Sequence, residues 1–154
     1  EMSASLVGSE MCIRDRAYIS YMKKKKLDYK QFICEGSFNS ASGYEMMGQL
    51  LKQRDRPTAV FAASDALAFG AMKAIKEQGL SIPRDISLIG FNDTEMSSYT
   101  TPALTTIHAP AYDMGQHGAN LLYVASNLSI DTPLKVKIPC YLVERESCGT
   151  VLED

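Results

Sequence analysis

The stretch from Pro57 to Asp93, PTAVFAASDALAFGAMKAIKEQGLSIPRDISLIGFND, decides the fold. Thr58 to Ala63 is a short apolar run of the kind that forms a strand buried on both faces of a sheet. Ser64 and Asp65 then offer capping chemistry, since a side-chain oxygen there can accept an orphan amide of a first helical turn. Leu67, Phe69, Met72, Ala74 and Ile75 follow at helical spacing, and Gly79 stands where a helix needs a left-handed end. Ile82 and Pro83 lead into a second apolar run, Ile86 to Phe91. Strand, helix and strand in about 34 residues predict a βαβ unit, whose right-handed crossover makes the two strands parallel. The chain is therefore α/β in class, with a parallel sheet flanked by helices.

Working outward, the same patterns recur more weakly. Upstream, Ala17, Tyr18, Tyr21 and Met22 mark one face of a helix over 17–25 that ends in the basic run Lys23 to Lys26. Cations at a helix C-terminus are favoured by its dipole, so that run is read as a solvated end and not as a nucleic-acid patch. Gln31 to Glu35 predicts a strand, Gly36 to Ser40 a loop, and Ser40 the N-cap of a helix carrying Tyr44, Met47, Leu50 and Leu51. Downstream, Leu104 to Ile107 predicts a strand and Asp113 to Ser126 a helix with Met114, Leu121, Leu122 and Val124 on its apolar face. The alternating segments Leu134 to Ile138 and Cys140 to Glu144 predict half-exposed strands.

Composition removes several functions. A net charge of -2 over 154 residues supplies no basic stripe for neutralising phosphates, so this segment is not expected to hold DNA by itself. No apolar run is long enough to span a bilayer and no signal peptide is visible, which points to the cytoplasm and away from a membrane. Cys12, Cys34, Cys140 and Cys148 form no CxxC pair, and His108 and His117 lie far from three of them, so neither a metal site nor a cofactor is expected. Catalytic signatures are missing too: no nucleophile elbow, P-loop, HExxH or Rossmann glycine pattern occurs. Asp65 and Asp93 as paired carboxylates would lack a nucleophile or metal ligand beside them, and His108, just past an apolar strand, is read as a hydrogen-bonded structural histidine rather than a general base.

A parallel sheet binds ligands beyond the carboxyl ends of its strands. Three such ends carry recognition chemistry, namely Gly36-Ser37-Phe38, Ser64-Asp65 and Asn92-Asp93. A neutral polyhydroxylated ligand needs hydrogen-bonding side chains and an aromatic face, which Phe38, Asp65 and Asn92 could supply. The competing reading is that Ser64-Asp65 only caps a helix and Asn92-Asp93 only forms a turn.

These segments in this order resemble the effector-binding core of the lac/gal repressor family. The resemblance is carried by Pro57 to Asp65 with Ala68 and Gly70-Ala71, by Gly79-Leu80 with Ile82-Pro83 and Asp85 to Asp93, and by Pro102 with Leu104 to Ile107. Met114-Gly115, Leu142-Val143, Arg145 and Ser147 extend it. It implies a periplasmic-binding-protein-like fold of two α/β subdomains with a small molecule, a sugar, in the cleft between them, and homodimers that alter operator affinity through a headpiece absent from this chain. Phe38 matches the aromatic that packs on the ligand, Ser64 and Asp65 match polar cleft positions, and Asn92 stands at a place that is often Asp. Ala109 stands where Gln is common and cannot hydrogen-bond there. Leu67, Phe69, Met96 and Thr100 match the dimer surface. The other reading is a periplasmic sugar-binding protein of a transporter, which would be monomeric and exported.

The resemblance divides the chain. Residues 17–108 and 134–147 fall in the C-terminal subdomain, 109–128 in an element of the N-terminal subdomain, and 148–154 in a tail. Ser3 to Arg16 fits neither a helix nor a strand pattern and resembles translated adapter sequence, so residues 1–16 are read as a non-matching leader. Arg14 occupies the place of a ligand-gripping arginine, with Ala17 in a glycine place, but falls inside that leader and is not relied on. The helix 113–126 should pack in the largely missing subdomain, leaving its apolar face open, so the fragment is expected to bind sugar weakly and to self-associate.

Overall fold

A computed structural model describes residues 3–8, 13–127 and 133–150. Its strands are β1 (Ser3–Gly8), β2 (Ile33–Gly36), β3 (Ala59–Ala62), β4 (Ser87–Asn92), β5 (Thr105–His108) and β6 (Tyr141–Val143). They form one sheet in the order β2-β1-β3-β4-β5-β6. The first five are mutually parallel, and β6 runs antiparallel to β5. The helices are α1 (Ile13–Lys24), α2 (Ser40–Leu51), α3 (Asp65–Glu77) and α4 (Ala111–Asn127).

The βαβ unit forms as its sequence predicts. Ser64 Oγ accepts from the Leu67 amide at 3.3 Å and opens α3, while Gly79 takes the left-handed conformation (φ 73°) just beyond its end. Burial corrects one expectation: β3 is not covered equally on both faces, and β4 beside it shows the same one-sided pattern. Val60, Ala62, Leu88 and Gly90 are buried, whereas Phe61, Ile89 and Phe91 between them are only partly covered. The first set faces a core shared with Met46, Met47 and Leu50 of α2 and Leu67, Ala71 and Ile75 of α3. Phe61 and Phe91, with Ile107 of β5, instead line a cavity of about 340 Å³ whose other wall is Arg14, Ala17, Tyr18 and Tyr21 of α1.

Four further expectations change. The supposed leader contains a central strand, because β1 pairs with β2 at Ser5↔Ile33 and with β3 at Ser3↔Ala59, and α1 starts at Ile13 rather than Ala17. Residues 1, 2, 9–12, 128–132 and 151–154, with parts of the expected leader and tail and Cys12 among them, lie outside the described residues. Asn39, not Ser40, caps α2, its side chain accepting from the Ser42 amide at 2.9 Å. Leu134 to Ile138 forms no strand, since its alternation finds no neighbouring edge to pair with, and only Tyr141–Val143 joins the sheet. Finally, the described tail residues are docked: Cys148 Sγ reaches the Leu88 carbonyl at 3.2 Å and the Gly149 amide reaches Ser87 Oγ at 3.2 Å.

Candidate functional site

Each predicted site residue lies at the carboxyl edge of the parallel strands, but the edge sorts them into two groups. Asp65 turns inward. It is fully buried, and its carboxylate is occupied by the protein: Oδ2 accepts from the Thr94 amide at 2.7 Å, Thr94 Oγ1 at 3.1 Å and Ser97 Oγ at 2.9 Å, and Oδ1 accepts from Thr106 Oγ1 at 2.6 Å. A carboxylate with four donors in a closed interior has neither lone pairs nor access to offer a ligand. Ser64 is also buried, its hydroxyl spent on the α3 amide. Both residues are therefore scaffold and not ligand contacts. Asp65 ties α3 to the loop after β4 and to β5, and a Cβ on Gly90 would run into its Oδ1.

Phe38 and Asn92 turn outward. Phe38 follows β2 and is 45% exposed. Asn92 ends β4, exposed and in a positive-φ conformation (119°), followed by Asp93 at 59°. Arg14 joins them from the first turn of α1. Its Nη1 donates to the Ala63 carbonyl at 2.7 Å, and its guanidinium lies 5.4 Å from the Phe38 ring centre and 4.7 Å from that of Phe91. One cation thus links the ends of β2, β3 and β4 and lies over two aromatic rings. The edge therefore offers a guanidinium, a side-chain amide and aromatic rings in one place.

A cluster that the sequence did not single out sits beside Asn92. Arg145 Nη2 donates to Asp93 Oδ1 at 2.7 Å, and His108 Nδ1 lies 2.9 Å from Asp93 Oδ2. Burial alone would raise the Asp93 carboxyl, but hydrogen bonds from Arg145 and His108, reinforced by their charges, hold it below the ordinary carboxylate range. An ionised carboxylate can only accept, so Nδ1 of His108 carries the proton. The signal for Arg145 was the late Arg145-x-Ser147 motif; its partner, 52 residues away, could not be read from spacing. Ser147 is buried as well, accepting from the Thr105 amide at 2.8 Å and donating to the Leu88 carbonyl at 2.6 Å, which staples β4 to β5. Neither Asp65 nor Asp93 is left available as a catalytic base.

A family model for the periplasmic binding protein-like domain matches residues 7–148, nearly the whole chain. The chain belongs to that family. Within it, the likeness is to regulators of the LacI type. The HTH-type transcriptional repressor PurR of Shigella dysenteriae serotype 1 is 42% identical over 118 residues, which cover 77% of this chain and 35% of that protein. A structure of a LacI transcriptional regulator from Bacillus cereus subsp. cytotoxis superimposes with a TM-score of 0.91 at 25% identity, over 96% of this chain and 54% of that one. The complex of the transcriptional regulator CelR with cellobiose gives 0.87 at 25%, over 95% and 46%. The chain spans about a third of the length of the curated relatives it matches.

In this periplasmic binding protein-like domain the four expected dimer residues also divide. Leu67 is wholly buried among Met47, Leu50 and Ala71, so it is core and not surface. Phe69 and Thr100 are partly exposed and line a hollow of about 670 Å³ with Leu80, Ile82 and Pro102. Met96 is exposed nearby in sequence, together with Tyr99, which had not been considered. Among the described residues no helix is long and apolar enough to cross a membrane.

Proposed function

We propose that this chain is the effector-sensing part of a cytoplasmic, ligand-responsive transcription repressor. It binds a sugar or similar small molecule at Phe38, Asn92 and Arg14, and acts as a homodimer through Phe69, Met96, Tyr99 and Thr100. In this reading β1, residues 13–108 and residues 134–147 form one cleft wall and 109–128 belong to the other. Occupancy changes the angle between the walls, and a DNA-binding headpiece converts that angle into operator affinity. The domain performs no chemistry on its ligand.

The observation that carries the reading is the aromatic and polar edge formed by Phe38, Arg14, Phe91 and Asn92, placed where the chain crosses from β5 into α4. The cellobiose complex of CelR supports a carbohydrate as the ligand class. A gel shift of operator DNA with the full-length regulator tests it, run against glucose, ribose and cellobiose among a wider sugar panel. One sugar should change operator affinity by tenfold or more, and Asn92→Ala should abolish that response while leaving sugar-free operator binding unchanged. A regulator indifferent to every sugar would remove the ligand assignment.

A further inference from the structure

The turn after β4 is gripped at one residue and exposed at the one before it. Asn92 and Asp93 both take positive φ, a conformation that L residues seldom hold unless their surroundings impose it. The grip falls on Asp93, which meets Arg145 at 2.7 Å and His108 at 2.9 Å. Both partners are themselves fixed. Arg145 Nη1 donates to the Leu104 carbonyl at 2.8 Å, and its amide donates to Thr105 Oγ1 at 2.9 Å. The His108 ring stacks on Tyr141 with 4.8 Å between ring centres. With side-chain exposures of 16% for Asp93, 20% for Arg145 and 30% for His108, solvent screens the cluster only in part.

We infer that Asp93, clamped between Arg145 and His108, is a positioning residue that holds Asn92 left-handed and so aims its amide toward the effector. This rests on the reading of Asn92 as an effector contact. The alternative is a turn that holds itself, because Asn and Asp both tolerate positive φ without help. The two differ in what the Asn92 resonances feel. Under the clamp, loss of a partner of Asp93 is passed along the backbone to Asn92; a self-sufficient turn has no reason to respond.

Heteronuclear NMR of the 154-residue chain at neutral pH separates them without any effector. His108→Gln, which keeps an N–H donor, should retain the wild-type Asn92 Cα and Cβ shifts, whereas His108→Ala, which removes it, should displace them. Asp93→Asn keeps a residue at ease with positive φ but removes the charge; the Asn92 signals should broaden and move toward their coil positions while α3 and β3 signals stay in place. Should Asp93→Asn fail to fold, Arg145→Lys keeps a cation and should move the same signals partway. Asn92 signals that stay unchanged in both Asp93→Asn and Arg145→Lys would overturn the proposal. A regulator deaf to sugars would instead remove the effector reading and leave the clamp standing.

Discussion

Helices α3 and α4 have similar apolar patterns and opposite fates. Eight of the 13 residues of α3 are buried, whereas α4, with 17, buries none. Leu122 is 74% exposed and Tyr112 83%, while Leu67 and Ile75 are closed off completely. Periodicity makes a face; only a partner makes it a core. Burying a large apolar side chain contributes about 1.5–3 kcal/mol, so α3 is anchored many times over and α4 draws almost nothing from the sheet.

That contrast can be broken at several points. The largest effect is expected at Asp65, where alanine would strand the buried Ser97 and Thr106 hydroxyls and release the Thr94 amide, at a cost of about 4 kcal/mol in urea unfolding. Wild-type-like stability of Asp65→Ala would show that water reaches the site. Next comes a matched pair: Leu67→Ala should cost about 3 kcal/mol, and Leu122→Ala less than about 0.5 kcal/mol. Equal losses would mean that α4 finds a partner in solution, for instance a second copy. Self-association measured by sedimentation would then fall in the Leu122 variant.

Acid supplies a smaller effect. Because the Asp93 carboxyl lies below its ordinary 3.8, its pairing stabilises the fold above that pH and is lost as pH falls through the lowered value. Asp93→Asn should therefore lose less stability than the wild type between neutral and strongly acidic pH, as read from urea midpoints at a series of pH values. Parallel curves would show that the ion pair contributes nothing net. The smallest effect concerns thiols: burial pushes Cys34 up, so iodoacetamide should modify the exposed Cys140 well before it, as seen by mass spectrometry. Faster reaction at Cys34 would place β2 at a fraying edge of the sheet.

The βαβ unit was legible because each of its signals is local: an apolar run, a cap three residues from the amide it serves, a glycine at the helix end. β1 was not, because a six-residue segment as mixed as Ser3–Gly8 owes its strand conformation to the two parallel neighbours that enclose it. Conversely, Leu134 to Ile138 alternates well and forms no strand, since pairing requires an edge that pattern alone does not provide. For the site, the exposed position of Phe38 and Asn92 followed from their places at strand ends. The fate of Asp65 did not. As a sequence feature it is a polar group at a helix start; whether its carboxylate points to a cleft or inward was decided by Thr94, Ser97 and Thr106, between 29 and 41 residues later in the chain.

The chain leaves the sheet after His108 and returns at Tyr141, and those two residues are direct partners across the β5–β6 pair. Exit and re-entry thus share one place on the sheet margin, so the excursion that carries α4 can be lengthened, shortened or exchanged without altering the register of the strands beneath it.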